Sequence, residues 1–235
     1  MSLIVNPGKK LTRACGSLSC DRLAVRTRMV EIGDDCLDVV RTDIAPFAQN
    51  GDILVLSEKI IALCQKRIVY KKDIHPGFWA RTLCRFVRVT PAGPGAGTPY
   101  KMQLIIDICS LPRVLFAAFC AAVARLLGRK GVFYRLCGHQ VSAIDGLVAD
   151  NISFARYNDY AILAPADPDG VCAAIERETG LPCAIVDACD LHVSMMGRSP
   201  GVRLSDGVLC ELLRDNPAGQ GGQRTPAILL RPHAG

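Results

Sequence analysis

The sequence predicts an α+β fold of mixed sheets with flanking helices. Short apolar runs at residues 53–56, 184–186 and 227–230 have the length and bounding turns of buried strands. Apolar residues recur at helical spacing through 36–44 and fill 114–127. The connections between them mix hairpin-like and helical links rather than repeating a strand–helix unit, which favours α+β over a doubly wound sheet.

Residues 1–24 show no sustained periodicity and contain Pro7, Gly8 and Gly16. They are expected as a loose arm or edge strand ahead of a domain over 25–232. Gly33-Asp34-Asp35 supplies a turn and an N-cap, Cys36, Leu37, Val39, Val40 and Ile44 continue as a helix, and Pro46 ends it. Gly51-Asp52 turns the chain into the strand at 53–56. Pro76 opens a helix reaching Phe86, a loop covers 91–99, and a helix covers 112–127. Residues 141–144 read as a short strand carrying Asp145 into a turn. Asp167-Pro168 starts a helix that Gly180 stops, because aspartate caps the free N–H groups and proline has none to waste. The strand at 184–186 then leads to Asp187, and the last strand follows the glycine-rich segment 219–222.

Half of the 235 residues are apolar, enough for a sizeable core. The run at 114–127 is short for a bilayer span and the N-terminus lacks a secretory apolar stretch, so a cytoplasmic protein without membrane association is expected. The twelve cysteines are scattered singly with no CxxC pair, mostly in apolar segments, the pattern of buried reduced thiols, while Cys15 and Cys20 lie in a polar leader. Arginines outnumber lysines in a net charge of +6, which suits anionic small molecules. Aromatics make up only 6% of the chain and no basic run interleaves them, which argues against a nucleic-acid partner.

Two acids at expected strand ends, Asp145 and Asp187, carry the sharpest chemistry, with Asp190 three residues beyond. Divalent cations favour carboxylate oxygens held on rigid elements; aspartates at such junctions equally serve as turn caps. The two carboxylates are expected to converge in one cleft. The segment 219–222, with Gln220 and Gly221, and the segment 93–97 could wrap phosphates with backbone N–H groups, or could simply connect. Arg26, Arg28, Lys59 and Arg67 flank the two early turns as phosphate ligands or solvated charges. His139 and His192 lie near the acids without zinc-ligand spacing.

Seven segments taken in order carry a resemblance: residues 30–37 around Gly33-Asp34-Asp35, 51–59 through Ser57-Glu58-Lys59, 143–146 with Ile144-Asp145, 163–169, 184–191 with Val186-Asp187, 219–222 and 225–231. Together they resemble the coenzyme F-420 gamma-glutamyl ligase family from about Arg26 to Arg231. The resemblance implies an intertwined homodimer. It also implies a reaction in which the terminal phosphoryl group of GTP or ATP passes to a substrate carboxylate and an amino acid's amine attacks the acyl phosphate. Manganese or magnesium would serve it, with Asp145 and Asp187 as metal ligands and Asp190 beside them. Arg28, Ser57 and Lys59 match segments of the family's nucleotide site.

The family's isoleucine-serine-lysine-alanine-glutamate-glycine-arginine stretch is matched by Ile61-Ala62-Leu63-Cys64-Gln65-Lys66-Arg67, with Leu63 at the lysine. Ala188 replaces the threonine after the second aspartate, and Gln220 matches an acid. Glutamate addition to coenzyme F-420-0 is therefore one expectation. A ligase for another metabolite, and a nucleotide- or metabolite-binding protein without turnover, are the others.

Overall fold

The N-terminal residues build sheet rather than an arm. Ser2–Ile4 (β1), Thr12–Cys15 (β2) and Leu18–Arg26 (β3) are strands, and β3 pairs with both of the others. In β3, Arg22 and Ala24 alternate with Leu23 and Val25, so both faces meet packed neighbours. Arg22 is 1% exposed; its guanidinium donates to both carboxylate oxygens of Asp215 and, at 2.9 Å, to the Leu212 carbonyl. A buried ion pair of this kind, absent from any period-2 reading of the sequence, anchors the segment.

The computed structural model describes residues 1–87, 95–129, 131–147, 158–189, 192–219 and 222–233. The chain divides into two compact units, Met1–Lys66 with Pro165–Gly235, and Arg67–Ala164.

In the first unit the described strands include Ile53–Ser57 (β4), Cys183–Cys189 (β8), His192–Arg198 (β9) and Ala227–Pro232 (β10). Together with the first three they form one seven-stranded sheet, ordered β1-β3-β10-β4-β8-β9 with β2 also on β3. Alternation splits the core by face. Leu54, Leu56, Cys183, Ile185 and Leu229 point to one side, where Cys36–Val39 (α1), Glu58–Cys64 (α2) and Pro168–Thr179 (α8) cover them. Ile53, Val55, Ala184 and Val186 point to the other, under Asp206–Leu213 (α9). Each fully buried aliphatic side chain contributes about 1.5–3 kcal/mol, so this two-sided burial is the main stabilising term.

Local signals act as expected in α1 and α8. Asp35 caps α1 by accepting the Leu37 N–H at 2.9 Å, and Asp167 caps α8 by accepting from Gly170 at 3.1 Å. Gly180, in the left-handed region, ends α8. The helix begun by α1 continues through a wider π turn to Ile44 and tightens at Ala45–Phe47 around Pro46.

The second unit holds Ile68–Tyr70 (β5), Asp145–Gly146 (β6) and Tyr160–Ile162 (β7) in the order β5-β7-β6. Its described helices are Phe78–Leu83 (α3), Pro99–Cys109 (α4), Leu111–Leu126 (α5), Val132–Cys137 (α6) and His139–Ser142 (α7). Residues 141–144, expected as a strand, are not one: a helical turn occupies 139–142 and pairing begins only at Asp145. Gly138, with φ of 96°, resets the chain just before that turn. No single described helix is long and apolar enough to cross a membrane. All twelve cysteines are free thiols and none is fully exposed, Cys15 and Cys20 of the polar leader included.

Candidate active site

Among the described strands of the first unit, β4 and β8 form the parallel pair. Parallel strands release their carboxyl ends on the same edge, the place where open α/β sheets bind ligands. Ser57, the last residue of β4, faces Val186 of β8, so Asp187 is next along that edge. The N–H of Ser57 donates to the Pro226 carbonyl at 2.9 Å, bringing in the segment that precedes β10. Antiparallel β3 ends there too: Val25 faces Ala227, and the Thr27 N–H donates to the Arg224 carbonyl at 3.1 Å. Arg26, Ser57, Lys59, Asp187 and residues 222–226 thus gather on one sheet edge. Arg26 and Lys59 are exposed, while Ser57 and Asp187 are half-buried.

Asp187 lies within β8, not at its end as the sequence suggested, because β9 extends the pairing to Cys189. By alternation it shares the face of Cys183 and Ile185, the side covered by α2 and α8. Between the pairs Ile185–Gly197 and Val186–Met195, Met196 is an extra residue in β9. Such bulges bend a strand and commonly sit beside functional residues.

Arg28 is built into the same edge but is already engaged. Its guanidinium donates to Asp38 at 2.7 Å, Asp43 at 2.9 Å and Thr42 at 2.8 Å, and its backbone N–H donates to Asp43 at 2.8 Å. The bond it donates to Asp38, with the charge of Asp43 behind it, raises the guanidinium pKa above its ordinary value. Asp43 is fully buried, so this arginine stabilises the chain entering the Gly33 turn.

The segment with the family departures folds tightly against that turn. Leu63 is buried, Gln65 exchanges hydrogen bonds with Ala166 at 2.8 and 2.7 Å, and the Gly33 N–H donates to the Leu63 carbonyl at 3.0 Å. Lys66 stands at φ of 55°, the left-handed region, at the position where the family stretch has glycine.

Asp145 and Arg67 belong to the second unit. Asp145 opens β6, opposite Ile162, and accepts the N–H of Gly146 at 2.8 Å, the turn-capping bond open to any such aspartate. Arg67 precedes β5 and donates to the Ala164 carbonyl at 3.0 Å. Asp190, Gln220 and Gly221 lie outside the described residues. His192 opens β9 and is exposed. Among the described residues no three His, Cys, Asp or Glu side chains are grouped to hold a metal ion. The donor chemistry of Asp187 nevertheless suits magnesium or manganese, which take one or two carboxylates and fill the remaining positions from phosphates and water.

Glu58 is a residue the sequence reading passes over. It is buried at the first position of α2, between Ser57 and Lys59. Like Asp187, it is an acid that closely follows a run of buried apolar strand residues.

The family profile described as F420-0:Gamma-glutamyl ligase matches residues 24–186. The chain belongs to that family. Membership makes it an enzyme of the amino-acid ligase class, as the ordered segments implied. No curated protein matches the chain. The matched stretch includes β4, the Gly33 turn and the first half of β8.

Proposed function

We propose that this ligase uses a nucleoside triphosphate, GTP or ATP, and a divalent cation, manganese or magnesium, to join an amino acid such as L-glutamate to a carboxylated small molecule. The gathering of Arg26, Ser57, Lys59 and Asp187 on one edge supports this reading above anything else. Arg26 and Lys59 supply charge-assisted donors for the triphosphate. Ser57 offers a hydroxyl, and the segment with Gln220 and Gly221 offers backbone N–H groups. Asp187 is the oxygen ligand for the cation, with Asp190 close along the chain. Asp145 and Arg67 have the same assignments in the second unit, and Arg28 positions the nucleotide segment.

The terminal phosphoryl group passes to the acceptor carboxylate, releasing the diphosphate. The amine then attacks the acyl carbon, loses its proton and expels phosphate. Little bond-making falls to side chains in such a transfer, so positioning and charge neutralisation dominate. A bound cation supplies neutralisation at the phosphoryl oxygens. The resemblance also supports a homodimer, which sedimentation of the purified chain checks.

Three departures favour variants of the reading. Ala188, beside Asp187, alters the edge itself, and with Gln220 standing where the family has an acid it favours an acceptor other than coenzyme F-420-0. Leu63, buried where the family has lysine, favours a nucleotide-binding protein without turnover. Titration calorimetry with GTP and ATP, each with manganese or magnesium, tests the shared premise. Heat of binding is expected for at least one pair and should diminish in Lys59→Ala. Silence with all four at millimolar nucleotide rules out the ligase reading.

A further inference from the structure

In α5, Val114 and Ala117 are fully buried and face the interior of the second unit. Its opposite side turns apolar groups to solvent: Phe116 is 60% exposed, Phe119 68%, Leu126 88%, and Val123 and Leu127 are exposed too. At helical rotation these five positions fall within roughly 100° of the circumference, one continuous stripe. Large apolar side chains so aligned mark an interaction surface.

Charge identifies the partner. From Ile108 to Ile144 the sequence contains no Asp or Glu, yet it carries Arg113, Arg125, Arg129, Lys130 and Arg135. All four arginines are exposed. A second copy packed through this stripe would set a cationic helix against itself with no acid between. An anionic lipid surface meets both features, because the aromatic and aliphatic groups enter the acyl boundary while guanidiniums stay among the headgroups.

We propose that α5 docks the protein onto an anionic bilayer, lying in its surface. Crossing is excluded by shape: α4 and α5 together have the length, but they are bent by 115° at Ser110, and Met102, Leu104 and Ile105 of α4 are buried in protein. The proposal departs from the expectation of no membrane association and is independent of the ligase reading.

Co-sedimentation of the full chain with vesicles tests it. Vesicles of phosphatidylglycerol and phosphatidylcholine in equal parts should pellet the protein, vesicles of phosphatidylcholine alone should do so far less, and added salt should release it. Phe116→Asp/Phe119→Asp should abolish binding while its circular dichroism matches the parent; Leu126→Asp serves if the double variant does not fold. Each of Arg125→Gln and Arg129→Gln should weaken binding about fivefold. Failure of the parent to bind anionic vesicles overturns the proposal, as does binding that survives the apolar substitutions. A dimer in sedimentation velocity that Phe116→Asp/Phe119→Asp dissociates would instead assign the stripe to a second copy.

Discussion

Ser57 faces Val186 across the parallel β4–β8 pair, and this register sets Asp187 beside the start of α2 at a common edge. Asp187 is half-buried and outside the apolar clusters, so its loss removes little packing. Asp187→Ala should keep stability within about 1 kcal/mol of the parent. Turnover should fall by about 10²-fold or more, the scale for removing a fixed electrostatic group. Thermal melting and phosphate release measure the two arms.

Arg26 and Arg28 should separate cleanly. Arg26→Ala should weaken nucleotide binding by about 1.5–3 kcal/mol, the range for charged hydrogen bonds, with stability unchanged. Arg28→Ala takes the counter-charge from the buried Asp43 carboxylate, which keeps the bonds from the backbone N–H at position 28 and from the Thr42 hydroxyl, and should cost about 1–3 kcal/mol of stability before any nucleotide is added. Denaturant titration with and without nucleotide resolves the pair.

The Arg22–Asp215 pair predicts an acid limb in stability. Burial pushes the Asp215 carboxyl up, but hydrogen bonds and charge from Arg22, helped by Arg13, outweigh it and leave it below its usual value. A carboxylate depressed in the folded state stabilises above its unfolded pKa near 4, and that stability is lost as pH falls through the folded value. Asp215→Asn should cost about 3 kcal/mol at neutral pH by leaving Arg22 buried without its counter-charge. It should also flatten the loss below about pH 4.

Gly197 in β9 lets α8 approach the sheet. A Cβ there would stand 2.6 Å from the Pro168 carbonyl carbon and 2.7 Å from the Asp169 nitrogen, both backbone atoms. Gly197→Ala should destabilise by about 1–3 kcal/mol through overpacking. Because Gly197 flanks the bulge that leads to Asp187, turnover should fall with it. Calorimetric melting and phosphate release on the same preparation check both.

Lys66→Gly should have the opposite sign. Relief of the left-handed conformation is worth about 1–2 kcal/mol, and glycine's greater freedom in the unfolded chain returns about half. A net gain of about 0.5–1 kcal/mol in chemical denaturation is expected.

Short-range signals carried most of the legible fold. The caps Asp35 and Asp167, the stop at Gly180 and the apolar runs of β4, β8 and β10 each act within a few residues, and each appears where the sequence indicates. Strands without a continuous apolar run were not legible. β3 lies inside the sheet, where Arg22 reaches Asp215, 193 residues away, while β9 is the edge strand beside β8 and carries no continuous apolar run. Arginine-rich composition suggested phosphate binding, yet Arg22, Arg28 and Arg231 serve acids of the chain itself; Arg231 grips the buried Asp52 at 2.9 and 2.8 Å. At the site, residue types and order were legible, whereas the edge shared by Arg26, Ser57 and Asp187 required the parallel register.

The most direct measurement of the ligase claim is mass spectrometry of reactions holding the purified chain, L-glutamate, GTP or ATP, manganese or magnesium, and each of a panel of carboxylated acceptors that includes coenzyme F-420-0. The expected product is the acceptor carrying an added glutamyl group, formed with stoichiometric release of phosphate and absent with Asp187→Ala. No extended product and no phosphate release with either nucleotide, across a panel of carboxylated acceptors and amino acids, would contradict it.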